Sequence, residues 1–378
     1  MKKFVVVMNI PSPYRLHLLG EMHKQLQARG VEFMCHFMAK WHADRPLSWR
    51  NPKIDFPHRY WTDFGIGQYH FNPGLILRML FVRPDYLLCG SSFDTFTGIF
   101  LMSLVKAKVK IAGLEGNTQT PGQMGGFRGW VKRFVLSRCR YVHVPGAESI
   151  RYMAMHQSRT ARKMPETVIL PNLVDETRFK PREKWPEKDI EELRNKLGVE
   201  RTDKLCLIPA RIEECKGLLP FVKQLDCSMV IGWKVLIIGE GSLKGQLVSE
   251  LKFRGLENNF ILLDYMPYSD MPKLYASSDL LLLPSIYDPN PLSVVEALHS
   301  GLPVALSSQA GNVEEAIEEG KNGWVLPVMD KISFNKQLKD VFSSIHERLR
   351  EMGRYSHSVK AKFWNTKQAM SSFLDKVL

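Results

Sequence analysis

Short apolar runs recur along the chain with amphipathic stretches between them, and this spacing predicts alternating strands and helices. In the first half, strands are expected near Phe4–Met8, Val31–Phe37, Tyr86–Cys89, Val109–Ala112, Tyr141–Val144 and Val168–Leu170. Between the first two, Arg15–Arg29 sets Leu16, Leu19, Met22 and Leu26 at helical spacing and stops at Gly30, a residue suited to a left-handed cap. Residues 41–74 are rich in Trp, His, Pro and Gly, and predict long loops. The second half repeats the alternation more clearly, with strands expected at Leu205–Ile208, Lys234–Ile238, Phe260–Leu263, Leu280–Leu283, Pro303–Leu306 and Gly323–Leu326.

Alternation of this kind implies an α/β protein with parallel, doubly wound sheets. A length of 378 residues suits two such domains better than one. The stretch Phe179 to Pro186, with Pro181 and Pro186 among charges, is the natural boundary, giving domains over 1–180 and 181–355. Two sheets joined this way would face each other across a cleft at the carboxyl ends of their strands, where ligands of open α/β folds bind.

Composition narrows the picture further. A hydrophobic content of 44% excludes disorder over any large part of the chain. The six cysteines have no metal-knuckle or redox spacing and read as reduced thiols in a cytoplasmic protein. The run Lys2–Met8 is too short for a signal peptide and reads as a buried first strand. No apolar stretch approaches the roughly 20 residues that a bilayer span needs. Charge is uneven: residues 1–180 hold 26 Lys+Arg against 12 Asp+Glu, whereas residues 181–378 hold 26 against 27. The basic first half suits an anionic partner such as a membrane face, a lipid phosphate or a nucleic acid, or else a solvated basic surface.

The densest chemistry lies in Pro284–Gly301. It reads as a strand end, a loop and a helix start, with Asn290 as N-cap, Pro291 in the first helical position and Gly301 past the end. Free N–H groups around Leu292, Ser293 and Val294 would form an anion site at the positive helix end. Asp288 precedes that site and Glu296 lies eight positions later. Two carboxylates flanking an anion site suit a ligand with phosphate in its middle and hydroxyls at both ends, as in a nucleotide sugar. A second segment, Pro209–Gly217, puts Arg211 after a strand and Lys216 at a helix start. No Asp-x-Asp pair occurs in the chain to hold Mg²⁺, so fixed cations would have to stabilise a departing diphosphate.

These two segments resemble the carboxylate–seven residues–carboxylate motif and the Arg/Lys clamp of retaining GT-B glycosyltransferases of family four, the glycosyl transferases of group 1. The resemblance implies two Rossmann-like domains, with a last helix around 356–378 crossing back onto the first. It implies that Arg211 and Lys216 clamp the donor diphosphate, Glu296 binds the ribose hydroxyls and Asp288 contacts the donor sugar. The chain departs from the family at two points: the first carboxylate is usually Glu, and Pro289-Asn290 replaces the usual Gly-Phe. The turn at Gly239-Glu240-Gly241, followed by Ser242 as a plausible N-cap, corresponds to one lining the donor; Glu240 is either a ligand contact or a turn residue. Tyr265 and Met266 fall where family members contact the nucleotide base, or are simply packed.

In the first half, Asn9-Ile-Pro-Ser-Pro-Tyr-Arg15 resembles an Asn-Ile-Pro-x-Pro-Tyr-Arg subgroup common in bacterial transferases, with Ser12 and Arg15 facing donor or acceptor. Asp94 orients the acceptor hydroxyl or accepts its proton, unless the leaving phosphate takes it, or else is an ordinary helix N-cap. Glu115 and Asn117 follow the next strand on the acceptor side. Residues 126–140 interleave basic residues with Trp130, Phe134 and Val135, and read either as docking on an anionic bilayer or as a buried helix with a solvated basic face.

The expectation is transfer of a hexose or N-acetylhexosamine, with retention, from a nucleotide-diphosphate sugar to a glycan or lipid-linked acceptor in bacterial surface polysaccharide synthesis. No metal and no further cofactor are expected, and the enzyme would act in the cytoplasm, at the inner membrane face. The alternatives are a nucleotide-sugar epimerase or small-acceptor enzyme of the same fold, a nucleic-acid-binding protein, for which no motif speaks, and an inactive sugar-nucleotide sensor.

Overall fold

The computed structural model describes residues 1–42, 52–66, 69–90, 92–118 and 125–378. These form two compact units, Met1–Leu173 with Thr366–Leu378, and Val174–Asn365.

The first unit runs β1 (Lys2–Met8), α1 (Pro13–Ala28), β2 (Val31–Phe37), β3 (His58–Tyr60), α2 (Pro73–Val82), β4 (Tyr86–Cys89), α3 (Phe96–Leu104), β5 (Val109–Gly113), α4 (Gly126–Leu136), β6 (Tyr141–Val144), α5 (Ala147–Gln157) and β7 (Glu166–Ile169). Its strands make one parallel sheet in the order β3-β2-β1-β4-β5-β6-β7. Strand side chains alternate between faces, so Phe4, Val6 and Met8 enter one core and Val5 and Val7 the other. Both faces are covered, which is why β1 reads as a continuous apolar run.

The second unit runs α6 (Glu187–Lys196), β8 (Lys204–Pro209), α7 (Leu218–Val222), β9 (Trp233–Ile238), α8 (Lys244–Phe253), β10 (Phe260–Leu263), α9 (Met271–Ser277), β11 (Leu280–Leu283), α10 (Leu292–His299), β12 (Val304–Ser307), α11 (Val313–Ala316), β13 (Gly323–Leu326), α12 (Lys331–Ser343) and α13 (His346–Ser358). Its parallel sheet has the order β10-β9-β8-β11-β12-β13. The strand order reverses between β8 and β11 here and between β1 and β4 in the first unit, and loops at such switch points gather at the carboxyl ends of the sheet.

A final helix, α14 (Thr366–Val377), returns to the first unit. It packs along α1 and puts Met370, Phe373, Leu374 and Val377 into the core beside Phe4 and Leu26. The junctions fall at 173/174 and 365/366, whereas the sequence suggests 180/181 and 355/356. Phe179 explains the first difference: it is fully buried, with its ring 5.6 Å from Tyr275 and 6.1 Å from Tyr268, so the segment before Pro181 belongs to the second unit. Ser356 is likewise held by Asn322 of that unit.

The stretch 41–74, read as loops, contains the short strand β3 and the first turn of α2; residues 43–51 and 67–68 lie outside the described residues. An edge strand made of His, Arg and Tyr carries no apolar run. It is held on β2 by stacking of Tyr60 on Phe37 at 5.5 Å. All six cysteines are free thiols, four of them buried. Among the described residues no helix is long and apolar enough to cross a membrane.

Candidate functional site

In the second unit the loops after β8 and β11 meet. A single 3-10 turn, Glu214–Lys216, follows β8 and ends at Gly217, which has φ near 66° and caps the start of α7. A side chain at Gly217 would put its Cβ 2.1 Å from the Pro284 carbonyl oxygen, so glycine allows the loop to lie against the end of β11. That closeness brings the Lys216 Nζ to 2.5 Å from the Asp288 Oδ2. Both side chains are largely buried. Asp288 is also fixed through its backbone, which bridges Ala310 and accepts from the Gly311 N–H at 2.9 Å. Arg211 stands exposed just after β8.

Helix α10 starts one residue later than the sequence suggests. Pro291, not Asn290, occupies the N-cap position, in an extended conformation and without a side-chain cap. The Asn312 amide donates to the Pro291 carbonyl at 3.0 Å and so fixes this entry from the β12–α11 loop. The N–H of Val294 is not free, because it donates to the Pro291 carbonyl at 3.3 Å, and the Val294 side chain is buried. Leu292 and Ser293 are partly exposed and open the first turn. Of the three expected anion donors, these two keep the unsatisfied helix-start geometry.

Glu296, one turn into α10, takes partners of its own. Tyr275 on α9 is fully buried and donates its hydroxyl to Glu296 Oε2 at 2.7 Å. Burial pushes the Glu296 carboxyl up to about 7, against the opposing pull of the Tyr275 hydrogen bond and of Arg178. Arg178 is itself held over the Tyr268 ring, 4.6 Å from its centre, and donates to the Tyr268 carbonyl at 3.0 Å. Sequence reading missed Tyr275, Arg178, Gly311 and Asn312. Only the Gly-Asn pair in the loop after β12 offered a local signal, since Tyr275 is distant from Glu296 along the chain.

The turn after β9 packs against the loop after β8. A Cβ on Gly239, at φ 154°, would lie 2.2 Å from the Ala210 carbonyl oxygen. Ser242 does not cap α8, which begins at Lys244 behind Leu243. Instead its N–H and hydroxyl both donate to Glu213, at 3.0 and 2.8 Å. These bonds hold the Glu213 carboxyl below its ordinary range. Glu240 and Tyr265 are exposed, and Met266 is partly so. All follow the carboxyl ends of their strands.

The first unit gathers a second group at its own switch point. Ser12 is the N-cap residue of α1, yet its buried hydroxyl caps nothing and has no hydrogen-bond partner. Arg15 is buried, with Nη2 3.5 Å from Glu115 Oε1 and Nε donating to the Tyr14 hydroxyl at 3.2 Å. Burial opposes its charge, but Tyr14 and Glu115 more than compensate and raise its pKa. Arg15 in turn helps burial to hold His143 neutral, down at about 4. Asn117 is buried beyond β5. Asp94 is not a helix cap: Thr95 caps α3, accepting from the Gly98 N–H at 3.2 Å, while Asp94 stands 3.4 Å from Lys132 of α4. On α4 the buried residues are Gly129, Lys132, Val135 and Leu136, and Phe134 is partly buried against the core. Phe127 is 78% and Trp130 50% exposed, and they stack with Phe134 in series. Among the described residues no group of three or more His, Cys, Asp or Glu is placed to hold a metal ion.

Comparison with known proteins bears on both units. Residues 189–358 match the family described as glycosyl transferases group 1. Spore coat protein SA of Bacillus subtilis is 30% identical over 179 residues, covering 44% of this chain and 46% of that protein. The UDP-Gal:alpha-D-GlcNAc-diphosphoundecaprenol alpha-1,3-galactosyltransferase of Escherichia coli is 26% identical over 175 residues, 44% of this chain and 42% of the relative. The aligned stretches thus span less than half the length of these curated relatives. The solved structure of Anabaena Alr3699/HepE in complex with UDP matches 100% of this chain and 99% of its own, with a TM-score of 0.74 at 17% identity. The fold is therefore GT-B, two Rossmann-like parallel-sheet domains.

Proposed function

We propose that this chain, with group 1 glycosyl transferase pattern over 189–358 and a GT-B fold throughout, is itself a glycosyltransferase. It moves a hexose or N-acetylhexosamine from a nucleotide-diphosphate sugar, with retention, to a glycan or lipid-linked acceptor in bacterial surface polysaccharide synthesis. The observation that carries this reading is the meeting of Lys216 and Asp288 at the switch point of the second sheet, beside the start of α10.

In the reaction the bond from the anomeric carbon to the diphosphate oxygen breaks, and a bond to the acceptor oxygen forms on the same face. The nucleoside diphosphate leaves with one more negative charge. Arg211, Lys216 and the first N–H groups of α10, at Leu292 and Ser293 beside Asn290, stabilise that charge without a metal ion. Asp288 binds sugar hydroxyls and Glu296 the ribose. Gly239, Glu240, Tyr265 and Met266 border the same donor. The acceptor proton goes to the leaving phosphate or to Asp94, with Ser12, Arg15, Glu115 and Asn117 on the acceptor side. Support for the donor class comes from the UDP and UDP-glucose complexes of HepE, and for a lipid-linked acceptor from the name of the E. coli relative. The resemblance of the Asn9–Arg15 turn to a bacterial subgroup supports work in the cytoplasm, at the inner membrane face.

The test is thermal stability of the purified chain against a panel of nucleotide sugars, followed by transfer assays with whichever stabilises it. A selective rise in Tm, lost in Glu296→Ala, is expected; no response to any nucleotide sugar would defeat the reading.

A further inference from the structure

The second unit holds a cavity of about 450 Å³ lined by Arg182, Arg194, Arg201, Arg350 and His346, with Asp279 among its walls. It lies at the amino ends of β8 and β11. Asp279 directly precedes β11, and its carboxylate accepts from the Leu205 N–H at 2.8 Å. The donor loops leave the carboxyl ends of the same strands. At roughly 3.3 Å per residue, the six residues of β8 put about 17–20 Å between the two ends.

One wall is rigid. Arg194 is buried and donates to the Ser277 carbonyl at 2.8 Å, to the Asp203 carbonyl at 2.6 Å and to Asp279 at 3.1 Å. The rim is adjustable. Arg182 pairs with Glu187 at 2.7 Å and Arg201 with Glu191 at 3.7 Å, and these pairs are solvent-exposed, of the weak kind that yields to a better anion. Four guanidinium groups thus answer only three carboxylates within the lining. Helix α13 contributes His346, 3.9 Å from Asp279, and Arg350, which shares Glu187 with Arg182. The N-cap of that helix, Ile345, offers no side-chain acceptor. A volume of this size is within the range of small-molecule sites, and its lining carries one more guanidinium than carboxylate.

We propose that this cavity is a second anion site, taking a small molecule with one or two phosphate groups at the end of the sheet opposite the donor loops. Arg201 and Arg350 grip the phosphate from the rim, while Arg194 keeps the wall in place. No chemistry occurs there; the bound anion stabilises the α6–α13 side of the unit.

The purified chain is titrated with inorganic phosphate and with pyrophosphate by calorimetry and thermal shift, against sodium chloride of matched ionic strength. The expected result is saturable binding that survives Lys216→Ala and weakens at least about tenfold in the doubly substituted Arg201→Ala/Arg350→Ala protein, which removes two charge-assisted contacts from exposed positions. Should Arg201→Ala/Arg350→Ala lower the Tm without ligand, Arg201→Gln/Arg350→Gln is titrated in its place and is expected to show the same loss. Stabilisation no greater than that of sodium chloride overturns the proposal. So does binding that disappears in Lys216→Ala but persists in Arg201→Ala/Arg350→Ala, since the anion would then sit at the donor loops.

Discussion

Lys216 and Asp288 neutralise each other across the two loops that meet where the strand order of the second sheet reverses. The pair is largely buried, so each charge depends on the other in the absence of ligand. A diphosphate arriving at the helix start would draw the ammonium away and leave the carboxylate for sugar hydroxyls. On the proposed donor reading, the ion pair is the arrangement from which both groups would be drawn to the donor.

Separate consequences follow for the two residues. In Lys216→Ala, nucleoside diphosphate binding and transfer both fall, transfer by about 10²–10³ as for loss of one electrostatic stabiliser. In Asp288→Asn, transfer falls comparably, but the released ammonium keeps nucleoside diphosphate affinity at or above the parent value. Calorimetry with UDP and a radiolabelled transfer assay read the two effects. Equal loss of UDP affinity in both variants would show that Asp288 serves the phosphate site and not the sugar.

Glu296 should make donor binding depend on pH. Its carboxyl is pushed up to about 7, and a carboxylate accepts hydroxyl hydrogen bonds more strongly than the neutral acid. Donor affinity therefore rises between about pH 6 and 8. The Tyr275 hydroxyl favours the charged form, so Tyr275→Phe moves the midpoint to higher pH, and Glu296→Gln flattens the profile. A midpoint that drops in Tyr275→Phe contradicts the geometry. For stability the sign is opposite. The folded pKa lies above the unfolded one, so the contribution of Glu296 is present below about 4.5 and is lost as pH rises through 7.

Much of the fold was legible because parallel strands buried on both faces are continuous apolar runs. β2, β4, β6, β10, β11 and β13 begin and end where hydropathy alone sets them. β3 was hidden because an edge strand needs no apolar run, and His58-Arg59-Tyr60 shows none. Asp288, Glu296, Arg211 and Lys216 stand out along the chain by their local spacing. Their pairing does not, since Lys216 reaches Asp288 only because β8 and β11 are neighbours, a fact of sheet order. Asn290 was misread as a cap because Asn before Pro is the usual pattern; the chain instead turns at Pro291, held there by Asn312 from the next loop.

The first unit should lose stability in mild acid. Burial is the main cause holding His36, His143 and His156 down at about 4, with neighbouring cations adding to it. These groups take up protons in the unfolded chain near 6.5 but not in the folded one, so stability falls as pH drops from about 6.5 to 4. His156 is the cleanest case: it is fully buried, and neither ring nitrogen has a hydrogen-bond partner. His156→Leu is expected to make the fall in Tm between pH 6.5 and 4.5 shallower. An unchanged acid limb would mean that His156 takes up its proton in the folded protein as readily as in the unfolded chain.

The exposed aromatic surface of the first unit predicts binding to anionic bilayers. Twelve of the twenty-four large apolar side chains exposed among the described residues lie between Phe64 and Trp130, so the exposure is concentrated and not scattered. They sit on connected elements: the Phe64 N–H bonds to the Phe71 carbonyl, α2 packs on α3, and α3 on α4. Residues 73–140 add ten Lys and Arg against three Asp and Glu. Rings that enter the headgroup layer and cations that meet lipid phosphate are the two parts of an interfacial anchor. The protein should therefore float with phosphatidylglycerol vesicles and not with pure phosphatidylcholine, and added salt should weaken the association. Replacing Phe127 and Trp130 together by Ser removes two exposed rings of α4, so Tm should hold while vesicle affinity falls at least about tenfold, the equivalent of ~1.4 kcal/mol. If the doubly substituted protein partitions like the parent, the helix face is not the anchor.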